Sequence, residues 1–130
     1  MKECGLYEEM VLEPFAGANN LIRALKEVGA ARKFASFDIE PAHAGVEERD
    51  TIASFPTGFH FCVTNPPWRA KNSATRRGLP FPETEFDDLY KHALDLCLKE
   101  CRFVAALIPA TFLRSELFRE RLDAVIFLHN

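Results

Sequence analysis

A chain of 130 residues, 48% hydrophobic and with 12 phenylalanines, can bury one core and is too short for two. Its net charge of -3 excludes a protein that grips a polyanion with its whole surface, because such binding is carried by clustered Lys and Arg; any nucleic-acid contact is local. No apolar run approaches the ~20 residues that cross a bilayer, and residues 1–10 lack a charged-then-apolar secretory pattern. One soluble, cytoplasmic domain over residues 1–130, with no membrane partner, is therefore expected. Cys4, Cys62, Cys97 and Cys101 form no C-x-x-C pair and no histidine stands at finger spacing, so neither a disulfide framework nor a metal site is expected. Cys97 and Cys101, one helical turn apart, read as core.

Residues 10–15 form a short strand-like run, broken by Pro14 and Gly17. Leu21, Ile22, Leu25 and Val28 then share one helical face, and Gly29 closes that helix. Residues 33–39 alternate toward a second strand that ends on Asp38, Glu40 and Pro41. Residues 42–49 make at best a short helix, and 50–55 a weak third strand. Residues 59–64 are a continuous apolar run of the kind found in a parallel strand covered on both faces. The polar, Gly- and Pro-containing stretch 69–83 is long enough for a functional loop.

Helical spacing returns over 84–101 through Phe86, Leu89, Tyr90, Ala93, Leu94, Cys97 and Leu98, with Thr84 as the cap. A fifth strand is expected at 102–109, a helix at 111–122 and a sixth strand at 124–130. This alternation predicts an α/β protein: a Rossmann-like, open, mostly parallel sheet with right-handed crossovers and helices on both faces. In such sheets the ligand sits beyond the carboxyl ends of the strands, where strand order reverses. The unusual residues of this chain gather on that rim.

Four segments carry a family likeness: Leu12-Glu13-Pro14-Phe15-Ala16-Gly17-Ala18-Asn19, residues 37–41, Asn65-Pro66-Pro67-Trp68, and residues 105–113. In these the chain resembles the class I S-adenosylmethionine-dependent methyltransferases, and among them the amino-methyltransferases of the N6-adenine type. An Asn-Pro-Pro-aromatic tetrapeptide after a fourth strand, following a glycine loop, is a specific combination, whereas a glycine loop alone is not. One departure stands in the loop: Asn19 replaces its second glycine. Asn leaves less room for a ligand but tolerates left-handed backbone.

The resemblance implies S-adenosyl-L-methionine as cofactor. Pro14, Phe15, Ala16 and Gly17 would form the turn that packs on the nucleoside and offers amides to the methionine carboxylate. Glu13 would line the pocket near the methionyl group. Asp38 would accept from both ribose hydroxyls with Ile39 beside it, and Asp50 from the exocyclic amine of the cofactor adenine. Alone, Asp38 reads as a cap or turn residue and Asp50 as a solvated charge; the ordered set of motifs favours the functional role for Asp38 and leaves Asp50 open.

The tip at Asn65 fits the chemistry of a poor nucleophile. An exocyclic amine delocalises its lone pair into the neighbouring π system. Acceptors aimed at both N–H bonds favour a tetrahedral nitrogen and stabilise the positive charge that develops as the methyl arrives. The Asn65 side-chain oxygen and the Pro66 carbonyl would supply them. Pro66 and Pro67 fix φ and remove donors, so the corner is stiff, and Trp68 offers a stacking face worth roughly 1–3 kcal/mol. The plainer alternative is a turn with a packed indole. Cys62 as a thiol nucleophile would need a Pro-Cys pair, which is absent, so it reads as core. His43, His60, His92 and His129 share no spacing.

Arg69, Lys71, Arg76 and Arg77, with no acid among them, would meet phosphates or form a solvated loop. The motifs look most like DNA adenine methyltransferases of restriction-modification type. Enzymes of ribosomal RNA adenine or guanine and of release-factor glutamine share the same tetrapeptide, so RNA and protein substrates stay open. The family core has seven strands and commonly a target-recognition domain, and this chain offers six predicted strands. It is therefore expected to be a minimal domain, a fragment or one half of a split enzyme, with a second chain or homo-oligomer completing the sheet and supplying target recognition. The alternative from another class is a cofactor- or partner-binding subunit without activity of its own.

Overall fold

The computed structural model describes residues 10–67, 89–114 and 118–128. Five strands, β1 (Met10–Glu13), β2 (Lys33–Asp38), β3 (Glu47–Glu48), β4 (Phe61–Thr64) and β5 (Phe103–Ala106), lie in the order β3-β2-β1-β4-β5. Every pairing is parallel. Order reverses between β1 and β4, which sets the switch point at the ends of these two strands.

Among the described residues two α-helices, α1 (Asn20–Glu27) and α2 (Leu89–Glu100), cover opposite faces, because successive strand residues point to opposite sides. Val11, Phe61 and Val63 pack with Ile22 and Leu25 of α1. Leu12, Phe37 and Cys62 pack instead with Cys97 of α2 and with Cys101. The apolar runs at 11–12 and 61–63 are thus buried on both faces, which is why they carry no polar alternation. This is an α/β architecture, compatible with a Rossmann-like fold.

The end of α1 follows from Gly29, whose φ of +67 is the left-handed conformation that closes a helix. Its amide donates to the Lys26 carbonyl at 3.1 Å and the Ala30 amide to that of Leu25 at 3.0 Å, the paired bonds of a Schellman end. Gly29→Ala is expected to cost about 1 kcal/mol through the left-handed backbone, read as a lower thermal midpoint. The end of α2 is held from a distance. Arg121 donates to the carbonyls of Leu98 at 2.8 Å, Arg102 at 3.0 Å and Cys101 at 3.2 Å, satisfying acceptors that a helix leaves unpaired.

Four sequence expectations are corrected. Residues 50–55 form no strand: the Asp50 carbonyl and carboxylate accept from Ser54 N (2.9 Å) and Ala53 N (3.1 Å), and such side-chain bonding favours a turn. The third strand is Glu47–Glu48, in the segment expected to be a short helix. It pairs with Phe37 and Asp38 and is exposed, so it has no hydrophobic period to betray it.

Among the described residues of the helix expected at 111–122 stand two 3-10 turns, Ala110–Arg114 and Arg119–Arg121. Phe118 adopts φ 59, which breaks helical continuity. Phe112 nevertheless docks, packing edge-on to Tyr90 at 6.3 Å. The sixth strand is absent over 124–128. Ile126, Phe127 and Leu128 are 83%, 62% and 73% exposed, and no described strand lies beside them to supply the hydrogen bonds that would define one. No helix among the described residues is long and apolar enough to cross a membrane.

Candidate functional site

Hydrogen bonding ties the carboxyl ends of β1, β2 and β4 into one rim. The turn after β1 leans on β2: Ala16 N donates to the Phe37 carbonyl at 2.9 Å and Gly17 N to Asp38 Oδ2 at 2.8 Å. The other Asp38 oxygen accepts from Glu40 N at 2.9 Å. Asp38 therefore holds the glycine turn against its own strand end while staying half-buried. Next to it, Ile39 projects an aliphatic side chain that is 59% exposed.

Gly17 lies at φ +54, and nothing stands within 4 Å of where its Cβ would be. The turn thus needs glycine for its backbone and leaves open space over it. Asn19 takes φ 66, so the left-handed turn survives the replacement of the second glycine. Its Oδ1 is buried without a hydrogen-bond partner among the described residues.

Glu13 joins β1 to β4. It is 1% exposed, and its Oε1 accepts from the Thr64 hydroxyl and, at 2.9 Å, from Phe15 N, with the Asn65 amide a further donor. Burial raises its pKa to about 7, against the lowering effect of these hydrogen bonds and with a smaller push from Asp38. Glu13 is therefore an internal brace between the ends of β1 and β4.

Beyond Glu13 the tip opens outward. Thr64 is fully buried, Asn65 is exposed and Pro66 is buried again. Asn65 thus presents its amide at the rim while its neighbours anchor it.

Asp50 reaches the same rim through its neighbours. Arg49 N donates to the Asp38 carbonyl at 2.9 Å and Thr51 Oγ1 to the Pro14 carbonyl at 2.8 Å. The Arg49 guanidinium lies over the Phe37 ring at 5.5 Å and bonds the Ser54 carbonyl at 2.8 Å. Asp50 itself is exposed.

Glu13, Pro14, Phe15, Ala16, Gly17, Asp38, Ile39, Asp50, Asn65, Pro66 and Pro67 consequently share one end of the sheet. Trp68, Arg69, Lys71, Arg76 and Arg77 lie outside the described residues. Sequence reasoning missed Thr51 and Thr64, both buried hydroxyls that tie segments together. Thr64 left a trace, as the polar residue ending an apolar strand; Thr51 left none, since its partner is a carbonyl 37 positions away.

The rim carries the candidate donor set. It combines a carboxylate, an exposed aliphatic side chain, a glycine turn with space above it and a projecting carboxamide. No protein-family model, curated protein or solved structure matches the chain.

Proposed function

We propose that this chain is the core of a class I methyltransferase that uses S-adenosyl-L-methionine and modifies an exocyclic amino nitrogen, N6 of adenine in DNA. The observation that carries the reading is the convergence, at a switch point between β1 and β4, of the Gly17 turn, Asp38 and Asn65. Residues from three of the four motif segments lie at the end of a parallel sheet where a ligand is expected, which supports the reading.

When bound, the cofactor supplies an electrophilic methyl group on a sulfonium. The residues of the chain do the rest. Asp38 accepts from ribose hydroxyls, Ile39 covers the adenine edge, and the Ala16–Gly17 turn lets backbone approach the nucleoside. Asn65 and the Pro66 carbonyl accept from the two N–H bonds of the target amine and hold it in line with the donor. Glu13 fixes the Asn65 amide and Thr64, so the acceptor is positioned before substrate arrives, and alignment and electrostatics supply the acceleration.

DNA is favoured by Trp68 as a stacking face and by Arg69, Lys71, Arg76 and Arg77 as phosphate contacts, all from sequence. A second chain or copy completing the sheet fits the position of β5, whose outer edge meets no described strand, and the exposed apolar side chains of 125–128. Light scattering is expected to show self-association that Ile126→Lys and Phe127→Lys together abolish.

The test is calorimetry with S-adenosyl-L-methionine, followed by labelled-methyl transfer to DNA by wild type and Asn65→Ala. Binding by both with transfer by wild type alone is expected. Binding without Asn65-dependent transfer would assign a cofactor-binding module, and no binding would sink the reading. Asp38→Ala is expected to weaken cofactor binding on the order of 10- to 100-fold, the worth of one or two hydrogen bonds to a charged group. DNA affinity should fall steeply with salt; a shallow dependence would point to a protein amide.

A further inference from the structure

We propose that Leu107 is the side wall of the target site, the residue against which the ring bearing the amine packs. This deepens the methyltransferase reading and rests on it. β5 keeps its alternation past its last paired residue. Val104, Ala106 and Ile108 pack toward Tyr90, Leu94 and Phe112, while Phe103, Ala105 and Leu107 point to the other side and are exposed. That other side is the α1 face, since the Phe103 ring stacks on Phe61, a member of the α1 cluster, with centroids 5.0 Å apart. Phe61 and Val63 are buried under α1, but the same face of β5 is left open.

Register then sets Leu107 beside Asn65. Thr64 pairs with Ala106, and the Leu107 amide donates to the Thr64 carbonyl at 2.9 Å, so the parallel ladder runs one step past its last pair. Asn65 stands two positions after Val63, and Pro66 favours extended backbone before it, so alternation carries Asn65 to the α1 side too. A carboxamide and an isobutyl group that is 38% exposed are thus neighbours across one strand spacing, ~4.8 Å. A lone exposed Leu is ordinary. This one is set apart by its place: the strands run β2, β1, β4, β5, so Leu107 flanks Asn65 on the side away from Asp38 and the Gly17 turn.

On the methyltransferase reading the cofactor lies over β1 and β2, and an amine held by Asn65 brings the rest of its substrate out over β5. There the Leu107 side chain offers apolar surface and no hydrogen bond. A flat, uncharged base lays one face on it while its amine stays with Asn65; the methylenes of a glutamine would have to give up rotamer freedom for the same contact. Leu107 therefore sets the angle of the ring and leaves the reading of its edges to other groups. The contact is alike in ground and transition states, so it acts on substrate binding rather than on the chemical step.

The experiment measures labelled-methyl transfer to plasmid DNA from a methylation-deficient host, by wild type, Asn65→Ala, Leu107→Ala, Leu107→Asp and Leu107→Met, with S-adenosyl-L-methionine affinity from calorimetry. Transfer that depends on Asn65 upholds the reading by itself. KM for DNA is then expected to rise about 10-fold in Leu107→Ala, the effect of uncovering one or two buried carbons, and further in Leu107→Asp. Both should keep kcat and cofactor affinity within about twofold, and Leu107→Met, of similar volume, should keep the wild-type KM. An unchanged KM in Leu107→Asp beside Asn65-dependent transfer would overturn the inference and leave the reading standing, as would a loss confined to kcat or to cofactor affinity. Transfer to a glutamine peptide in place of DNA would overturn the nucleobase. No transfer by wild type would end reading and inference together. Should Leu107→Asp fail to fold, Leu107→Ala against Leu107→Met decides.

Discussion

Asn65→Ala is expected to lower methyl transfer roughly 10²- to 10³-fold, the usual effect of deleting one preorganised polar group that acts mainly in the transition state. On the proposed reading the loss should fall on kcat, with S-adenosyl-L-methionine affinity unchanged, because Asn65 would face the target amine rather than the Asp38 side of the rim. Stability should change by less than ~0.5 kcal/mol, since Asn65 is exposed. Single-turnover methylation alongside calorimetry separates these quantities. An unaltered transfer rate would remove Asn65 from the chemistry and, with it, the best reason for reading the Pro-Pro corner as catalytic.

A comparably large effect is expected of Glu13, on stability and through pH. Its folded-state pKa stands at about 7 against an ordinary 4.5. A carboxyl raised in this way favours the folded state while protonated. Its contribution is full below pH 4.5, falls as pH rises through about 7, and is gone above. The difference corresponds to ~3 kcal/mol of stability lost between acid and neutral pH.

Glu13→Gln removes the ionisation and keeps an oxygen for Thr64 and the amides of Phe15 and Asn65. Urea denaturation at pH 5 and pH 8 should therefore show a falling wild-type stability and a flat one for Glu13→Gln, with the variant the more stable at pH 8. Parallel slopes would mean that Glu13 does not titrate across this range. Glu13→Ala, by contrast, leaves three donors without their acceptor and should destabilise at both pH values by a few kcal/mol.

The parts of this fold that were legible in the sequence are those whose burial imposes a period. Val11, Leu12 and residues 61–63 had to be apolar on both faces, and Ile22 with Leu25, or Leu89, Ala93 and Cys97, had to recur at helical spacing. β3 was hidden because an edge strand of two exposed glutamates buries nothing. The tail was misread for the opposite reason: residues 124–128 have strand composition, but pairing needs a neighbour, and composition cannot supply one.

The site divides in the same way. Gly17, Asp38 and Asn65 stood out because backbone conformation and chemistry restrict what occupies those places. The braces behind them, Glu13 to Thr64 and Thr51 to Pro14, join residues 51 and 37 positions apart, and a linear reading carries no record of such distances.

Arg121 closes the last turn of α2 from a point 20 residues beyond Cys101. During synthesis the helix emerges before its stopper does, so its final carbonyls stay bound to water until the later segment arrives. Completion of α2 is then the step that registers the downstream chain, and nascent polypeptides halted before position 121 should show fast amide exchange confined to that turn.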